Sequence, residues 1–164
     1  MLIQLLFDGQ KISVVEFSAR TGGGVKYLLI KHICGFDVIK AVVDLTMGLK
    51  PHVEMRKPDA KYLINDFIYC NPGKFSHLEG FEELKNEGIL EDYYLFKWEN
   101  AEFTSVLNSG DRVAGYTILA NSKDELIRKH ERARTSVHVI DTEGRDMARQ
   151  DLITKLQDEE GYIH

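Results

Sequence analysis

Cysteine is scarce in this sequence. Only Cys34 and Cys70 occur among 164 residues, far apart and without metal-ligand or redox spacing. A disulfide framework and a cysteine-built metal centre are thereby excluded. Two small hydrophobes in apolar surroundings remain, the usage expected in a reducing, cytoplasmic setting. Long hydrophobic runs are also missing: no apolar stretch approaches the roughly 20 residues of a membrane helix, so no membrane association is expected. Met1-Leu2-Ile3-Gln4 has neither a basic region nor a cleavage site and reads as strand rather than signal peptide. A chain that begins inside a strand is expected to be a piece of something longer. No cationic excess exists either. Lys and Arg number 21 against 26 Asp and Glu, a net charge of −5 with no dominant basic run, which argues against nucleic acid as a partner. His77, His130 and His138 are scattered, and none has a partner evident in the sequence, so no general base is legible. What is present is 43% hydrophobic and 29% charged residues, the composition of a globular protein with room for one ordinary domain or two small ones.

The pattern of elements is α+β. Leu2 to Phe7 and Ile12 to Phe17 are β-rich runs joined by Asp8-Gly9-Gln10-Lys11, a strong hairpin signal because the turn needs positive φ. Simple alternation places Ile12, Val14 and Glu16 on one face, so the Glu16 charge should have a cation or strong donor near it, unless it stands exposed at the strand end. Val25 to Ile33 has helical spacing, with Gly35 as its C-cap and His32 as a packed core histidine. Asp37 caps a second helix over 38–49 whose apolar face is Val38, Ile39, Val42, Val43, Thr46 and Leu49. Residues 51–58 are polar and bounded by prolines, the best boundary in the chain. Beyond it come short strands at 62–70, 75–78, 91–98, 103–107 and 113–120. A short helix spans 81–86, Asn108-Ser109-Gly110-Asp111 reads as a hairpin turn, and a capping box at Ser122 and Glu125 opens a helix to about Arg134. A last strand follows at 137–140. The expected organisation is residues 1–57, a hairpin with a helix pair; residues 58–141, a small antiparallel or mixed β unit with packed helices; and residues 142–164, a charged tail, frayed or helical only against a partner.

Chemistry concentrates in the first unit. Arg20-Thr21-Gly22-Gly23-Gly24 leads from the second strand into a helix. Glycines at a helix start let backbone N–H groups approach an anion, and Arg20 offers a planar fork for phosphate or carboxylate; a tight strand-to-helix turn would use the same glycines. Gln4 and Glu16 lie on the two arms of the hairpin at nearly opposed positions, with Ser18 two residues beyond Glu16. One side-chain oxygen from each makes a patch of hard ligands suited to Mg²⁺ or Mn²⁺ beside substrate phosphates.

Gln4, the Asp8-Gly9 turn, Val15-Glu16-Phe17-Ser18-Ala19-Arg20 and the glycine run together resemble the metal-binding strand pair of the ATP-grasp enzymes. Gln at the first position is the form familiar from carbamoyl-phosphate synthetase large subunits. Ser18 stands where that pattern has Asn, a shorter side chain with a single oxygen. Residues 60 to 140, through Pro72-Gly73-Lys74, Leu78-Glu79-Gly80 and Asn108 to Val113, resemble more loosely the C-terminal subdomain of L-amino-acid ligases. The resemblance implies that Gln4, Glu16 and Ser18 hold the Mg²⁺ or Mn²⁺ that bridges ATP phosphates. It implies that Arg20 is the catalytic residue, gripping phosphate or an acyl phosphate, and that Gly22, Gly23 and Gly24 face a small carboxylate or amino-acid substrate. The lysines, adenine pocket and lid of such enzymes have no counterpart in this sequence. The expectation is therefore a C-terminal portion of a carboxylate–amine ligase, inactive alone and able to self-associate through its open hairpin edge; the alternative is a non-catalytic binding module.

Overall fold

The computed structural model describes residues 2–19, 24–54, 56–104 and 109–156. The chain divides into two compact units, residues 1–59 and 60–164.

The first unit holds an antiparallel hairpin, β1 (Leu2–Phe7) and β2 (Ile12–Ser18), followed by helices α1 (Lys26–Cys34) and α2 (Val38–Thr46). Gly9 supplies the positive φ of the turn, and the Asp8 carboxylate closes it by accepting from the backbone N–H of Gln10 and Lys11 at 3.0 and 2.7 Å. The Lys11 bond first, then that of Gln10, holds the Asp8 carboxyl below its usual range. Helix α1 ends at Gly35 in the left-handed region. Asp37 caps α2 as expected, its Oδ1 accepting from Lys40 N–H at 2.9 Å. The 51–59 segment is fastened back onto α1: Arg56 N–H donates to Cys34 O, Asp59 N–H to His32 O, and His32 Nδ1 lies 3.0 Å from Asp59 Oδ2. Apolar burial is slight. Among the described residues of this unit only Val25 and Ala41 are buried hydrophobics, and the α2 side chains Ile39, Val42 and Val43 are all more than half exposed.

The second unit carries the core. Central strand β7 (Arg112–Ala120) pairs antiparallel with β3 (Tyr62–Tyr69) on one side and β5 (Asp92–Leu95) on the other. A second sheet has β4 (Gly73–Glu79) between β6 (Glu102–Phe103) and β8 (His138–Asp141). Helices α3 (Phe81–Asn86) and α4 (Lys123–Ser136) complete it. Ile68, Phe75, Leu84, Tyr116, Ile118, Val137 and Val139 belong to one continuous cluster, each 2% exposed or less. Entry to α3 depends on Gly80, whose φ is +82° and whose missing Cβ would run into the Ser136 carbonyl. The capping box at α4 forms, with Glu125 N–H donating to Ser122 Oγ at 3.2 Å, while the Glu125 carboxylate reaches back to Asn121 N–H.

Two expectations for this unit are corrected. The expected strands 103–107 and 113–120 do not pair as a hairpin where they are described: β6 joins β4 in the second sheet, β7 belongs to the first, and Ser109–Asp111 is a 3-10 turn; residues 105–108 lie outside the described residues. Residues 142–156 are not a frayed tail. Asp141 turns the chain through hydrogen bonds from Glu143 N–H and Arg145 N–H, and Met147, Ala148 and Ile153 then enter the core. Met147 and Ile153 belong to a weak apolar stripe with Leu152 and Leu156, too sparse within a charged stretch to show by itself that it would be buried.

Candidate metal and phosphate corner

Gln4 and Glu16 are direct cross-strand partners in the hairpin, and Leu2 is opposite Ser18. The turn alone does not produce this. From Phe7↔Ile12 through Leu5↔Val14 the pairing is regular, and regular continuation would set Val15 opposite Gln4. A bulge between Gln4 and Leu5 takes up Val15 as an extra residue, and Glu16 moves into the place opposite Gln4.

That one-residue shift also changes faces. Opposed residues of an antiparallel pair project to the same side. Gln4 and Glu16 therefore share a face with Leu2, Leu6, Ser13 and Ser18, while Ile3, Leu5, Phe7, Ile12, Val14 and Phe17 form the other. The expected grouping of Glu16 with Ile12 and Val14 is corrected by the bulge. Glu16 stands on the polar face, exposed to water, so no compensating cation is required there. The opposite face is wholly apolar, and each of its six side chains is at least 49% exposed.

The polar face thus brings together an amide oxygen and a carboxylate, with the half-buried Ser18 hydroxyl further along β2. Neither the Gln4 nor the Glu16 side chain takes a hydrogen-bond or ion-pair partner among the described residues. These are hard donors of the kind that Mg²⁺ and Mn²⁺ accept alongside phosphate oxygens, so the donor set fits such an ion in part. Among the described residues no three His, Cys, Asp or Glu side chains are gathered to hold a metal by themselves. Gly24, at φ +76° and exposed, directly precedes the buried Val25 that opens α1. Arg20, Gly22 and Gly23 lie outside the described residues.

Other chemistry-bearing residues are accounted for as structure. The histidines without evident partners in the sequence each have an acidic one in space: His77 with Glu79, His130 with Asp66, and His138 with Asp146. Two cationic residues of α4 are paired along the helix, Lys129 with Glu125 and Arg134 with Glu131, and Arg132 pairs with Glu87. A cleft of about 370 Å³ in the first unit is lined by Asp37, Lys40, Asp44, Glu54 and Arg56, where Lys40 is engaged by Asp44 and Arg56 by Asp59. What sequence reasoning missed is the buried carboxylate Asp66, 7% exposed. A lone Asp inside the apolar run Tyr62 to Cys70 was the available signal.

No protein-family model and no curated protein matches the sequence. The fold does match solved structures, as part of an ATP-grasp fold. One neighbour is phosphoribosylglycinamide synthetase from Anaerococcus prevotii, at TM-score 0.70 and 16% identity, covering 85% of this chain and 36% of that one. Another is L-amino acid ligase from Bacillus licheniformis, at TM-score 0.64 and 21% identity, covering 85% and 35%. The chain therefore spans about a third of the length of either. At the level of fold, the resemblance read from the hairpin and from residues 60–140 holds.

Proposed function

We propose that this chain is the C-terminal portion of an ATP-dependent carboxylate–amine ligase, in which the polar face of the β1–β2 hairpin is the metal and phosphate corner. The observation that carries the reading is the opposition of Gln4 and Glu16, created by a bulge, on an ATP-grasp fold. Gln4 Oε1 and the Glu16 carboxylate are the residues that would hold Mg²⁺ or Mn²⁺. When bound there, the ion supplies charge neutralisation on ATP phosphates during phosphoryl transfer to a carboxylate. Ser18 offers one oxygen where the family pattern has an amide, so its role is an auxiliary contact. Arg20 would bind phosphate or the activated carboxylate through its guanidinium fork, and Gly22, Gly23 and Gly24 would face the substrate.

The bare apolar face of the hairpin supports the same reading. A two-stranded sheet with both edges open is marginal alone, and its six exposed apolar side chains match a surface that the rest of such an enzyme would cover. The two unbonded cysteines accord with a cytoplasmic enzyme, and no helix among the described residues is long and apolar enough to cross a membrane.

The test is the ATP- and Mg²⁺-dependent ligation of amino-acid pairs by the complete enzyme, read for wild type and Glu16→Gln. Loss of at least about 100-fold in kcat with the fold intact is expected for the variant. Wild-type activity in Glu16→Gln would end the metal role. The 164-residue chain by itself is expected to hydrolyse no ATP, and measurable turnover would contradict the partial-site reading. A silent calorimetric titration of the complete protein with Mg-nucleotide would favour a non-catalytic binding module instead.

A further inference from the structure

Strand β3 is the outer strand of its sheet, and its far edge would be open without a cover. The chain after β8 supplies one. Cys70 bridges Ala148, Asn71 N–H donates to Met147 O at 2.7 Å, and Arg149 N–H donates to Tyr69 O at 2.7 Å. After Arg149 the chain turns, with Leu152 N–H bonded to Arg149 O, and strand-like pairing stops. From there the cover is held by the Ile153 side chain, 2% exposed, by the half-buried Leu156 and by the Asp66 carboxylate. Asp66 Oδ2 accepts from Thr154 N–H at 3.1 Å, and Oδ1 accepts from Thr154 Oγ1 at 3.3 Å. The same Oδ1 takes Phe67 N–H at 2.8 Å. On the inner side His130 Nε2 donates to Asp66 Oδ2 at 3.0 Å, with the Tyr116 hydroxyl 3.3 Å from that nitrogen. His130 is 1% exposed and Tyr116 fully buried.

One buried carboxylate thus joins three elements: β3, α4 and the segment after β8. We propose that residues 149–156 form a strap that opens as a unit while the sheet stays folded, with Asp66 as its latch and His130 as the positioning residue that fixes the latch. The outer half of the strap has one fully buried apolar anchor, Ile153, a second, Leu156, only half-buried, and hydrogen bonds to one side chain, whereas β7 is bonded on both sides and buried along most of its length. Local opening is drawn from elements so sparsely held. Opening would bare the backbone edge of β3 beside Tyr69 and the groove filled by Ile153.

Native-state hydrogen exchange on the full chain tests this. The Arg149 and Thr154 amides should exchange together, about tenfold or more faster than the amides of Tyr116 and Ile118. Thr154→Val, which removes only the hydroxyl bond, should speed strap exchange by about threefold to fivefold and leave β7 unchanged. His130→Gln should speed the strap more than β7. Asp66→Asn should do the same by about tenfold if it folds, and where it does not, Thr154→Val decides. Strap and β7 amides exchanging in one common process would overturn the proposal, as would a Thr154→Val effect of equal size on both.

Discussion

Asp141 shows how much a single side chain organises. Its Oδ1 accepts from Glu143 N–H at 2.8 Å and Arg145 N–H at 2.9 Å, and Oδ2 accepts from Arg145 Nε at 2.9 Å. The Arg145 N–H bond first, then the guanidinium bond and the Glu143 N–H, hold the carboxyl below its ordinary 3.8. A depressed folded-state value means that the group stabilises the fold fully above the unfolded value and loses that contribution as pH falls through the folded one. Acid unfolding should therefore begin below about pH 4, and Asp141→Asn should unfold at lower temperature at neutral pH with a flatter pH dependence between about 2 and 5. Calorimetry across that range checks both. Gly80 is the second residue whose identity is fixed by geometry. Gly80→Ala combines a left-handed φ with a Cβ driven into the Ser136 carbonyl, and should cost about 3 kcal/mol or more in urea unfolding of the second unit.

At the scale of elements, the two units differ in what holds them. The second unit encloses a cluster running from Ile68 to Ile153, and the first leaves its hairpin and much of α2 exposed. Amides of β1 and β2 should therefore exchange about 100-fold faster than those of β7, and trypsin should cut residues 2–59 well before the second unit. Equal protection of hairpin and β7 would contradict the burial. Much of this was legible beforehand. Asp8-Gly9, the Asp37 cap, the Ser122–Glu125 box and the 81–86 helix are local signals, and local hydrogen bonds satisfied them. What was not legible is non-local. The bulge that takes up Val15 depends on pairing with β1, the separation of β6 from β7 depends on which strand each meets, and the burial of Met147 and Ile153 depends on a groove built by other elements. The candidate site was read from residue types at near-opposed positions. The shift that aligns Gln4 with Glu16 and takes Glu16 off the face of Ile12 and Val14 needed the structure.

For the whole molecule, the apolar and polar faces of one hairpin carry the account. The polar face has oxygen donors without partners among the described residues, and the apolar face is uncovered. A ligase that used this corner would close other parts of its chain over both. The most direct measurement is paramagnetic line broadening of the 164-residue chain by stoichiometric Mn²⁺ with ATP. The account predicts that the Gln4, Glu16 and Ser18 amides broaden first and that Glu16→Gln removes the effect. First broadening elsewhere, or broadening at the hairpin unchanged in Glu16→Gln, would contradict it.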